Sequence, residues 1–453
     1  MMNRTSIHGQ WSSRLTFILA ATGSAVGLGN IWKFPYMVGE NGGGAFVLIY
    51  LLCVAAIGIP IMIAEIMVGR RGRQNPMDSM RLLAEDDQRN PAWQWVGLIG
   101  VIAGVLILSY YSVIAGWALA YVFRAGSGQL AGADADSARA LFTDLVSNPE
   151  ALLAWHTVIM ATVVLVTSRG VEGGLEKAAQ WLMPALFALL LVMVGYGISA
   201  GAFEEAMVFL FQPDFSKIDG AAVLAAMGQA FFSMSLGMGA IMIYGSYLPQ
   251  DASIPRSATM IAISDTGVAL LAGLAIFPVV FLYNLEPGEG PGLIFMTLPI
   301  AFGQMTGGTI FATLFFLLLV VAALTSAVSL IEPSVAFLVE RLGMTRVAAT
   351  ACSGIVIWFI GLGTVLSFNV AADWTLWGKT FFDLLDFTTA NIMLPLGGVA
   401  IAIFAAWIVS AQASGDELSQ DAEWVHRIWR ILCRYVAPVA VLLVFLNLVG
   451  VFA

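Results

Sequence analysis

Long apolar stretches separated by short polar segments set the pattern of this chain. A stretch of about 20 apolar residues is long enough to cross the hydrocarbon core of a bilayer as a helix. We count eleven such stretches and predict a helical membrane span in each of them. The spans lie at about 14–37, 43–69, 92–124, 151–168, 177–199, 221–247, 258–285, 306–340, 345–367, 387–410 and 432–453.

Two of the spans carry a glycine-rich interruption near their middle. Span 1 contains GSAVGLGN at residues 23–30, and span 6 contains SMSLGMGA at residues 233–240. Each segment includes Gly-x-Gly, and a glycine inside a helix costs about 1 kcal/mol relative to alanine. We therefore predict that both helices unwind there. Unwound backbone survives inside a membrane only where it lines a cavity or is held by surrounding protein.

The positions of the two breaks predict an inverted repeat. A second copy that begins after five spans, an odd number, runs through the membrane in the opposite direction. Breaks at matching places in two inverted halves are typical of transporters that bind their substrate near the bilayer midplane. Half-helix ends offer N–H groups to an anion and carbonyls to a cation, which suits a zwitterion bound with a metal ion. The alternative is that the small residues serve close helix packing alone.

Composition supports a membrane protein and excludes several other classes. Of 453 residues, 59% are apolar and 11% are charged, which is more apolar surface than a soluble fold of this length can hide. Acidic residues outnumber basic ones by 29 to 20, which argues against nucleic-acid binding. We find no nucleophile–base pair, zinc motif or cofactor loop, and we expect neither an enzyme nor an organic cofactor. The sequence indicates no obligatory protein partner.

The distribution of Lys and Arg predicts the orientation. With the amino terminus in the cytoplasm, the cytoplasmic segments hold 15 of the 20 Lys and Arg residues, as the positive-inside tendency requires. An odd number of spans then places the carboxyl terminus outside. We predict one transmembrane domain over residues 1–453, with a first repeat at about 14–199, a second at about 221–410 and an extra helix at about 432–453.

Several polar side chains lie inside the predicted spans. A charge near the bilayer centre costs at least about 2.5–3.5 kcal/mol, so each one needs a reason. The charged candidates are Lys33, Glu65, Asp265, Glu332 and Asp386. Span 8 also places Ala322, Thr325 and Ser326 on one helix face. Two hydroxyls and a carbonyl suit Na⁺, a hard cation, although such hydroxyls often bond to their own helix backbone instead.

The stretch AATGSAVGLGNIWKFPYMVGENGGGAFVLIY resembles the neurotransmitter:sodium symporter family, in particular its bacterial amino-acid transporters. SYY in span 3, FFSMSLGMGAIMIYGSYL in span 6, TLP and QMTGG before span 8, and AALTSAVSLIEP within it fit the same family in order. The resemblance covers nearly the whole chain. It implies an all-α polytopic membrane protein with eleven transmembrane helices, a five-plus-five inverted repeat and broken helices 1 and 6, which is the leucine-transporter-like fold. It also implies a place in the bacterial inner (plasma) membrane.

The resemblance implies a set of binding residues at matching positions. Two sodium ions would bind, and the substrate carboxylate would be a ligand of the first. The residues implied for the first ion are Ala25, Asn30, Ser233 and Asp265. Those implied for the second ion are Gly23, Val26, Ala322, Thr325 and Ser326. Those implied for the substrate are Ser24, Ala25, Leu28, Gly29, Ile107, Tyr111, Phe232, Ser233, Ser235, Met238, Ser326 and Leu330.

The resemblance also implies two gates. Lys33 and Asp386 would pair on the outer side. On the inner side, His8 stands where family members usually have Arg or Lys, with Glu340 as the candidate acid. Arg4 and Arg14 are possible substitutes for His8. Two further acids have no assigned gate: Glu332 either lines the inner exit or is a structural acid, and Glu65 is expected to hold the break of span 6.

The implied function is sodium-coupled symport of a neutral amino acid by alternating access. Gly27 stands where monoamine transporters of the family carry aspartate, which favours a substrate with its own carboxylate. Met238 replaces a phenylalanine of a leucine-transporting member, and a flexible methionine predicts bulky apolar or aromatic substrates. Asp265 and Ala269 replace an asparagine and a serine of chloride-dependent members, which predicts chloride independence. The alternatives are a transporter of the same fold with another ion or another small carboxylate, and a substrate-gated channel.

Overall fold

The computed structural model describes Trp11 and residues 14–170, 175–288 and 290–448. In this part of the chain the regular structure is helical, with one isolated β-bridge between Leu376 and Lys379. The α-helices are α1 (Arg14–Ala25), α2 (Phe34–Glu40), α3 (Gly44–Cys53), α4 (Ile59–Gly72), α5 (Pro76–Asp86), α6 (Gln94–Gly126), α7 (Ala135–Val146), α8 (Pro149–Ser168), α9 (Leu175–Ala200), α10 (Phe203–Phe211), α11 (Gly220–Ser233), α12 (Ala240–Ser246), α13 (Ile254–Leu282), α14 (Leu293–Gln304), α15 (Gly308–Leu342), α16 (Arg346–Ser367), α17 (Phe381–Asp386), α18 (Leu394–Ile403), α19 (Ala411–Glu417), α20 (Glu423–Ile431) and α21 (Ala437–Leu448).

The predicted all-α polytopic architecture is confirmed. Among the described residues, eight continuous helical stretches are long and apolar enough to cross a membrane, and a pair at residues 187–211, bent by 114°, adds a ninth if it forms a single span. Spans 1 and 6 are each divided into two pieces, α1 with α2 and α11 with α12. Every predicted span therefore contains helix, while the number of crossings and the orientation of the termini stay predictions.

The break of span 1 occurs where the backbone amides find partners outside the helix. The last regular bond runs from the Val26 amide to the Thr22 carbonyl at 2.7 Å. The Gly27 amide instead donates to Asn30 Oδ1 at 3.3 Å, and the Leu28 amide donates to the Tyr111 hydroxyl at 3.2 Å. Carbonyls in the last turn of α1 are thereby released from helical bonding. This confirms the unwinding that the Gly-x-Gly pattern predicts.

The break of span 6 depends on glycine for both conformation and space. Gly237 and Gly239 each have φ of 77°, in the left-handed region that glycine adopts without strain. A Cβ on Gly237 would lie 2.5 Å from the Leu394 carbonyl oxygen, and one on Gly239 would lie 2.8 Å from the Pro76 ring. The second Gly-x-Gly therefore unwinds the chain and lets neighbouring segments approach closely.

In the described part of the chain, five π-helical segments within the spans were not predicted. They are Gly29–Lys33, Val54–Gly58, Phe387–Met393, Phe404–Ile408 and Leu432–Val436. Pro35, Pro60, Pro395 and Pro438 each follow one of these segments, so that the residue four positions before each proline lies inside it. A proline lacks an N–H and its ring clashes with that carbonyl, so the helix widens by one residue there. Proline position is thus a sequence signal for four of the five segments.

Short helices in the predicted polar segments were also missed. Asn75 caps α5 by accepting a hydrogen bond from the Asp78 amide at 3.1 Å, with Pro76 in the first turn. Asp134 and Ser137 form a capping box at the start of α7. These helices are too short for a search based on 20-residue apolar stretches. Their caps, rather than their hydropathy, are the signal that identifies them.

Candidate substrate and ion sites

The two breaks meet α6 and α15 around a small cavity of about 20 Å³. Ten of the twelve predicted substrate residues line it, and Leu28 and Ser233 do not. The lining residues are Ser24, Ala25, Gly29, Ile107, Tyr111, Phe232, Ser235, Met238, Ser326 and Leu330. A cavity of this size holds about one water molecule, so an amino acid fits only when neighbouring side chains move apart.

Tyr111, one of the lining residues, has a hydroxyl that suits a carboxylate. The Leu28 amide points at the Tyr111 hydroxyl at 3.2 Å, at the point where span 1 resumes as helix. Amides at the start of a helix, together with a hydroxyl, favour a bound anion. A Cβ on Gly27 would lie 2.4 Å from Ser326 Oγ and 2.7 Å from the Tyr111 hydroxyl oxygen. The protein therefore has no room for a carboxylate of its own at position 27.

Asp265 forms the centre of the first candidate ion site. The Asn30 amide nitrogen donates to Asp265 Oδ1 at 2.7 Å and to the Asp265 carbonyl at 2.8 Å. The other carboxylate oxygen, Oδ2, is fully buried and accepts no hydrogen bond within 3.5 Å. A buried carboxylate oxygen without a donor is costly, and a cation beside it offsets that cost. The Ser233 hydroxyl, a further predicted ligand, lies 3.3 Å from the Tyr50 hydroxyl.

The second candidate ion site joins α1 to α15. The Thr325 hydroxyl lies 2.8 Å from the Gly23 carbonyl oxygen and 2.8 Å from the Ala322 carbonyl oxygen. The Ser326 hydroxyl lies 3.5 Å from the same Gly23 oxygen. A hydroxyl carries one hydrogen and cannot donate to both carbonyls at once. The cluster therefore has more oxygen acceptors than hydrogens, which is an arrangement that suits a hard cation such as Na⁺.

A family comparison decides what kind of protein contains this arrangement. The model of the sodium:neurotransmitter symporter family matches residues 8–140 and 144–453, which is nearly the whole chain. The chain belongs to the sodium:neurotransmitter symporter family. It is accordingly a sodium-dependent membrane transporter of small molecules and not an enzyme, as the resemblance implied.

Individual relatives of this symporter agree with the family assignment. The uncharacterized sodium-dependent transporter YhdH of Bacillus subtilis is 41% identical over 445 residues, which covers 98% of each chain. The sodium- and chloride-dependent taurine transporter of Bos taurus is 24% identical, over 93% of this chain and 76% of its own. The crystal structure of MhsT in complex with L-phenylalanine superimposes with a TM-score of 0.93 at 42% identity, covering 97% of this chain and 99% of MhsT. The leucine-transporter-like fold is thereby confirmed.

Two polar side chains that contact predicted site residues of the symporter were missed from the sequence. Gln229 is buried and donates through Nε2 to the Gly29 carbonyl at 2.8 Å, which ties α11 to the restart of span 1. Tyr50 is also buried and meets the Ser233 hydroxyl. Each is an isolated polar residue in an apolar span. Because buried polar groups need partners, that isolation is the signal that would have identified them.

The two residues predicted to form the outer pair, Lys33 and Asp386, contact each other beside the cavity. The Lys33 ammonium forms an ion pair with Asp386, and the two side chains are 2% and 18% exposed. The same ammonium lies 4.5 Å from the centroid of the Phe232 ring, which lines the cavity. The pair thus holds the aromatic ring in place above the substrate residues through a cation–π contact. Its role as a gate stays a prediction.

At the predicted inner gate, Glu340 has a partner that was not expected. His8 lies outside the described residues, so the predicted contact with Glu340 stays a prediction. Glu340 accepts hydrogen bonds from both the backbone and side-chain nitrogens of Asn75, each at 2.7 Å. Arg14 does not replace His8 beside Glu340, because its Nε donates to the Ser257 hydroxyl of α13 at 3.2 Å. Trp11, three residues after His8, is tied to the segment that follows α12, because its amide donates to the Tyr247 carbonyl at 3.0 Å.

Glu332 has a partner that the sequence analysis did not identify. Its carboxylate accepts from both terminal nitrogens of Arg346, at 2.9 and 2.7 Å, and the glutamate is fully buried. This bidentate pair joins α15 to the start of α16. The geometry agrees with the interpretation of Glu332 as a structural acid.

Glu65 holds the break of span 6, as predicted. Its Oε1 accepts from the Gly237 amide at 2.6 Å, and the residue is fully buried on α4. Glu65→Leu would leave that amide without a partner, which costs about 1–3 kcal/mol, so we expect a clearly lower Tm. Glu65→Gln keeps an oxygen acceptor and is expected to lower the Tm less. The Tm of both variants is measured by thermal unfolding in detergent. An equal decrease of the Tm in the two variants would show that the hydrogen bond to Gly237 does not cause the loss of stability.

Proposed function

We propose that this symporter couples Na⁺ entry to the uptake of a neutral amino acid with a bulky apolar or aromatic side chain, by alternating access. The observation that carries the proposal is the arrangement around the cavity. Tyr111, whose hydroxyl accepts from the Leu28 amide, offers a carboxylate-binding group. Asp265 offers a buried carboxylate oxygen without a hydrogen-bond donor, and Thr325 belongs to the hydroxyl–carbonyl cluster. An α-amino acid and two sodium ions complement these charges.

Electrostatics explain how ion and substrate would be coupled. Asp265 and a substrate carboxylate bound near Leu28 carry the same charge. They repel one another in a medium of low dielectric constant unless a cation lies between them. A first sodium ion held by Ala25, Asn30, Ser233 and Asp265 would supply that charge. The sodium ion and the substrate then each bind well only when the other is present. This mutual dependence is the requirement for symport.

The second sodium ion would act on the position of α1. Its proposed ligands, Gly23, Val26, Ala322, Thr325 and Ser326, divide between the end of α1 and α15. A cation there draws the two helices together, so its loss releases α1. We propose that the outer pair Lys33–Asp386 and an inner contact at Glu340, with His8 as its candidate partner, open alternately around the site.

Two observations support the proposed substrate class: the lack of space beside Gly27, and the ligands named for two relatives. Without room for a protein carboxylate at Gly27, the anionic group is expected to come with the substrate. MhsT was crystallised with L-phenylalanine, and another relative is a taurine transporter. Both ligands are zwitterions. We therefore assign an amino acid to this chain, and an aromatic or large apolar one because Met238 can adapt its shape.

Met238→Phe is expected to narrow the substrate range. A rigid ring in place of methionine overpacks the pocket around a large substrate by about 1–3 kcal/mol, a loss of roughly 5- to 150-fold in affinity for aromatic amino acids. Small apolar amino acids should be less affected. Displacement of labelled substrate by an amino-acid panel measures this, with Met238→Leu as the volume-conserving control. An unchanged order of preference in Met238→Phe would remove Met238 from the specificity assignment.

The remaining features of the proposal concern ions and placement. We propose that transport is chloride-independent, because the Asp265 carboxylate supplies the negative charge near the first ion. The transporter forms one domain, with repeats at about 14–199 and 221–410 and an extra helix at about 432–453. It lies in a bacterial inner membrane with the amino terminus cytoplasmic and the carboxyl terminus outside.

A binding experiment separates substrate recognition from transport. The Tm of the purified protein is measured with single amino acids in NaCl and in KCl. A ligand that binds the folded state raises the Tm, so we expect a rise with aromatic amino acids in NaCl alone. A rise of equal size in KCl would contradict sodium coupling. If none of the amino acids raises the Tm in either salt, the substrate would be another small carboxylate.

A further inference from the structure

A groove of about 630 Å³ runs along the edge of the protein between α1, α4, α13 and α20. It shares no lining residue with the substrate cavity. We call it the inner groove, because it lies where α1, α13 and α20 begin, on the predicted cytoplasmic side. The lining residues used below are Arg14, Ile59, Ile63, Arg256, Thr259 and Ile428.

The walls of the inner groove are apolar and open toward the bilayer. Ile428 and Trp424, both on α20, are 48% and 64% exposed. The membrane span that contains α20, residues 423–446, is only 22% buried within the protein, so it lies at the periphery. In a membrane transporter such a surface is covered by lipid chains.

The floor of the groove is a fixed contact between helices. The Pro60 carbonyl of α4 accepts a hydrogen bond from the Trp429 indole at 3.0 Å and one from the Cys433 thiol at 3.4 Å. Both donors are buried. These bonds hold the span against α4. The groove is therefore a defined part of the fold.

Two guanidinium groups lie at the mouth of the groove, with one carboxylate beside them. The Arg256 side chain is 69% exposed and pairs with Asp421 at 3.2 Å. Asp421 also accepts from the Ser253 hydroxyl at 2.7 Å, so its charge is already engaged. Arg14 donates to Ser257 but forms no ion pair with another described residue. The groove thus carries a net positive charge at its mouth.

We propose that the inner groove binds an anionic phospholipid. Its phosphate lies between Arg14 and Arg256, and its acyl chains follow Ile59, Ile63 and Ile428. Guanidinium groups bind phosphate oxygens in a bidentate manner, and their attraction is stronger beside a medium of low dielectric constant. Basic pockets between membrane helices on the cytoplasmic side favour acidic lipid headgroups. This site does not depend on the identity of the transported substrate.

The proposed lipid connects the site to the transport cycle. Arg14 is the first residue of α1, and the same helix carries the Gly23 carbonyl of the second candidate ion site. A phosphate that contacts Arg14 and Arg256 links α1 to α13 in the arrangement described here. Binding is therefore expected to stabilise this arrangement and to raise the Tm.

Thermal unfolding of the purified protein tests the proposal. Phosphatidylglycerol, phosphatidylcholine or inorganic phosphate is added in a neutral detergent. We expect phosphatidylglycerol to raise the Tm well above the value with phosphatidylcholine, and inorganic phosphate to have no effect. The double variant Arg14→Gln with Arg256→Gln should lose this difference. Thr259→Trp, which fills the groove and leaves both guanidinium groups, should lose it too.

Arg427→Gln is the matched control for these variants. Arg427 also lies on α20, is 74% exposed, pairs with Glu423 and does not line the groove. It is expected to keep the full effect of phosphatidylglycerol. Equal effects of the two lipids, or an unchanged effect in the double variant, would overturn the proposal. An effect reproduced by inorganic phosphate would identify an ion site instead, and an equal loss in Arg427→Gln would indicate nonspecific surface charge.

Discussion

Asp265→Ala is expected to abolish sodium-driven uptake of amino acid. The variant removes the only carboxylate among the proposed protein ligands of the first ion, leaving the Asn30 side chain without its 2.7 Å acceptor. Removing one partner of a buried charge pair typically costs about 3–5 kcal/mol, which is a loss of at least roughly a hundredfold in sodium affinity. Uptake into liposomes under a sodium gradient, with the Tm checked for correct folding, measures the effect.

Asp265→Asn separates charge from shape at the same position. The wild-type protein should transport equally well when chloride is replaced by gluconate, because Asp265 supplies the negative charge. In Asp265→Asn that charge is missing, so uptake should be absent in gluconate, and any remaining uptake should require chloride. If Asp265→Asn takes up amino acid in gluconate as fast as the wild-type protein does, both the ion site and the proposed reason for chloride independence would be contradicted.

Thr325→Val is expected to weaken sodium binding at the second candidate ion site. Valine keeps the shape but removes the hydroxyl that lies 2.8 Å from the Gly23 carbonyl oxygen. Hydrogen-bonding groups that contact a charge contribute about 1.5–3 kcal/mol, so sodium affinity should fall roughly 10- to 100-fold. The sodium concentration needed for half-maximal uptake should rise accordingly, while the preference among amino acids should stay the same.

Thr313→Val is the control that separates an ion ligand from an ordinary helix hydroxyl. Thr313 lies on the same helix, α15, and its hydroxyl bonds to the Thr309 carbonyl at 2.7 Å. Thr325 makes a comparable bond to the Ala322 carbonyl, but it also reaches α1. Normal sodium dependence in Thr325→Val, matching Thr313→Val, would favour the backbone-bonding explanation for this hydroxyl.

The helices and their breaks were predictable because the signals are local. Apolar runs of about 20 residues locate spans in any sequence, and Gly-x-Gly at residues 27–29 and 237–239 marks where they unwind. The residues around the cavity came from motif resemblance, which carries tertiary information that hydropathy does not. Ten of those residues do surround one cavity.

Contacts between distant segments were not predictable in the same way. The bond from Gln229 to Gly29 and the ion pair of Glu332 with Arg346 depend on which helices become neighbours. The π-helical segments are different, since the prolines that follow four of them are visible in the sequence. The inner groove also appears only after helices have packed, because its two arginines are more than two hundred residues apart.

Sodium-driven amino-acid uptake can be measured in liposomes. The purified protein is reconstituted into liposomes, and uptake of a panel of labelled amino acids is followed under an inward sodium gradient, with a potassium gradient as control. We expect uptake of large apolar or aromatic amino acids that requires sodium and is insensitive to chloride. Uptake that ignores sodium but follows a pH gradient would contradict the ion assignment, and uptake of no amino acid would contradict the substrate assignment.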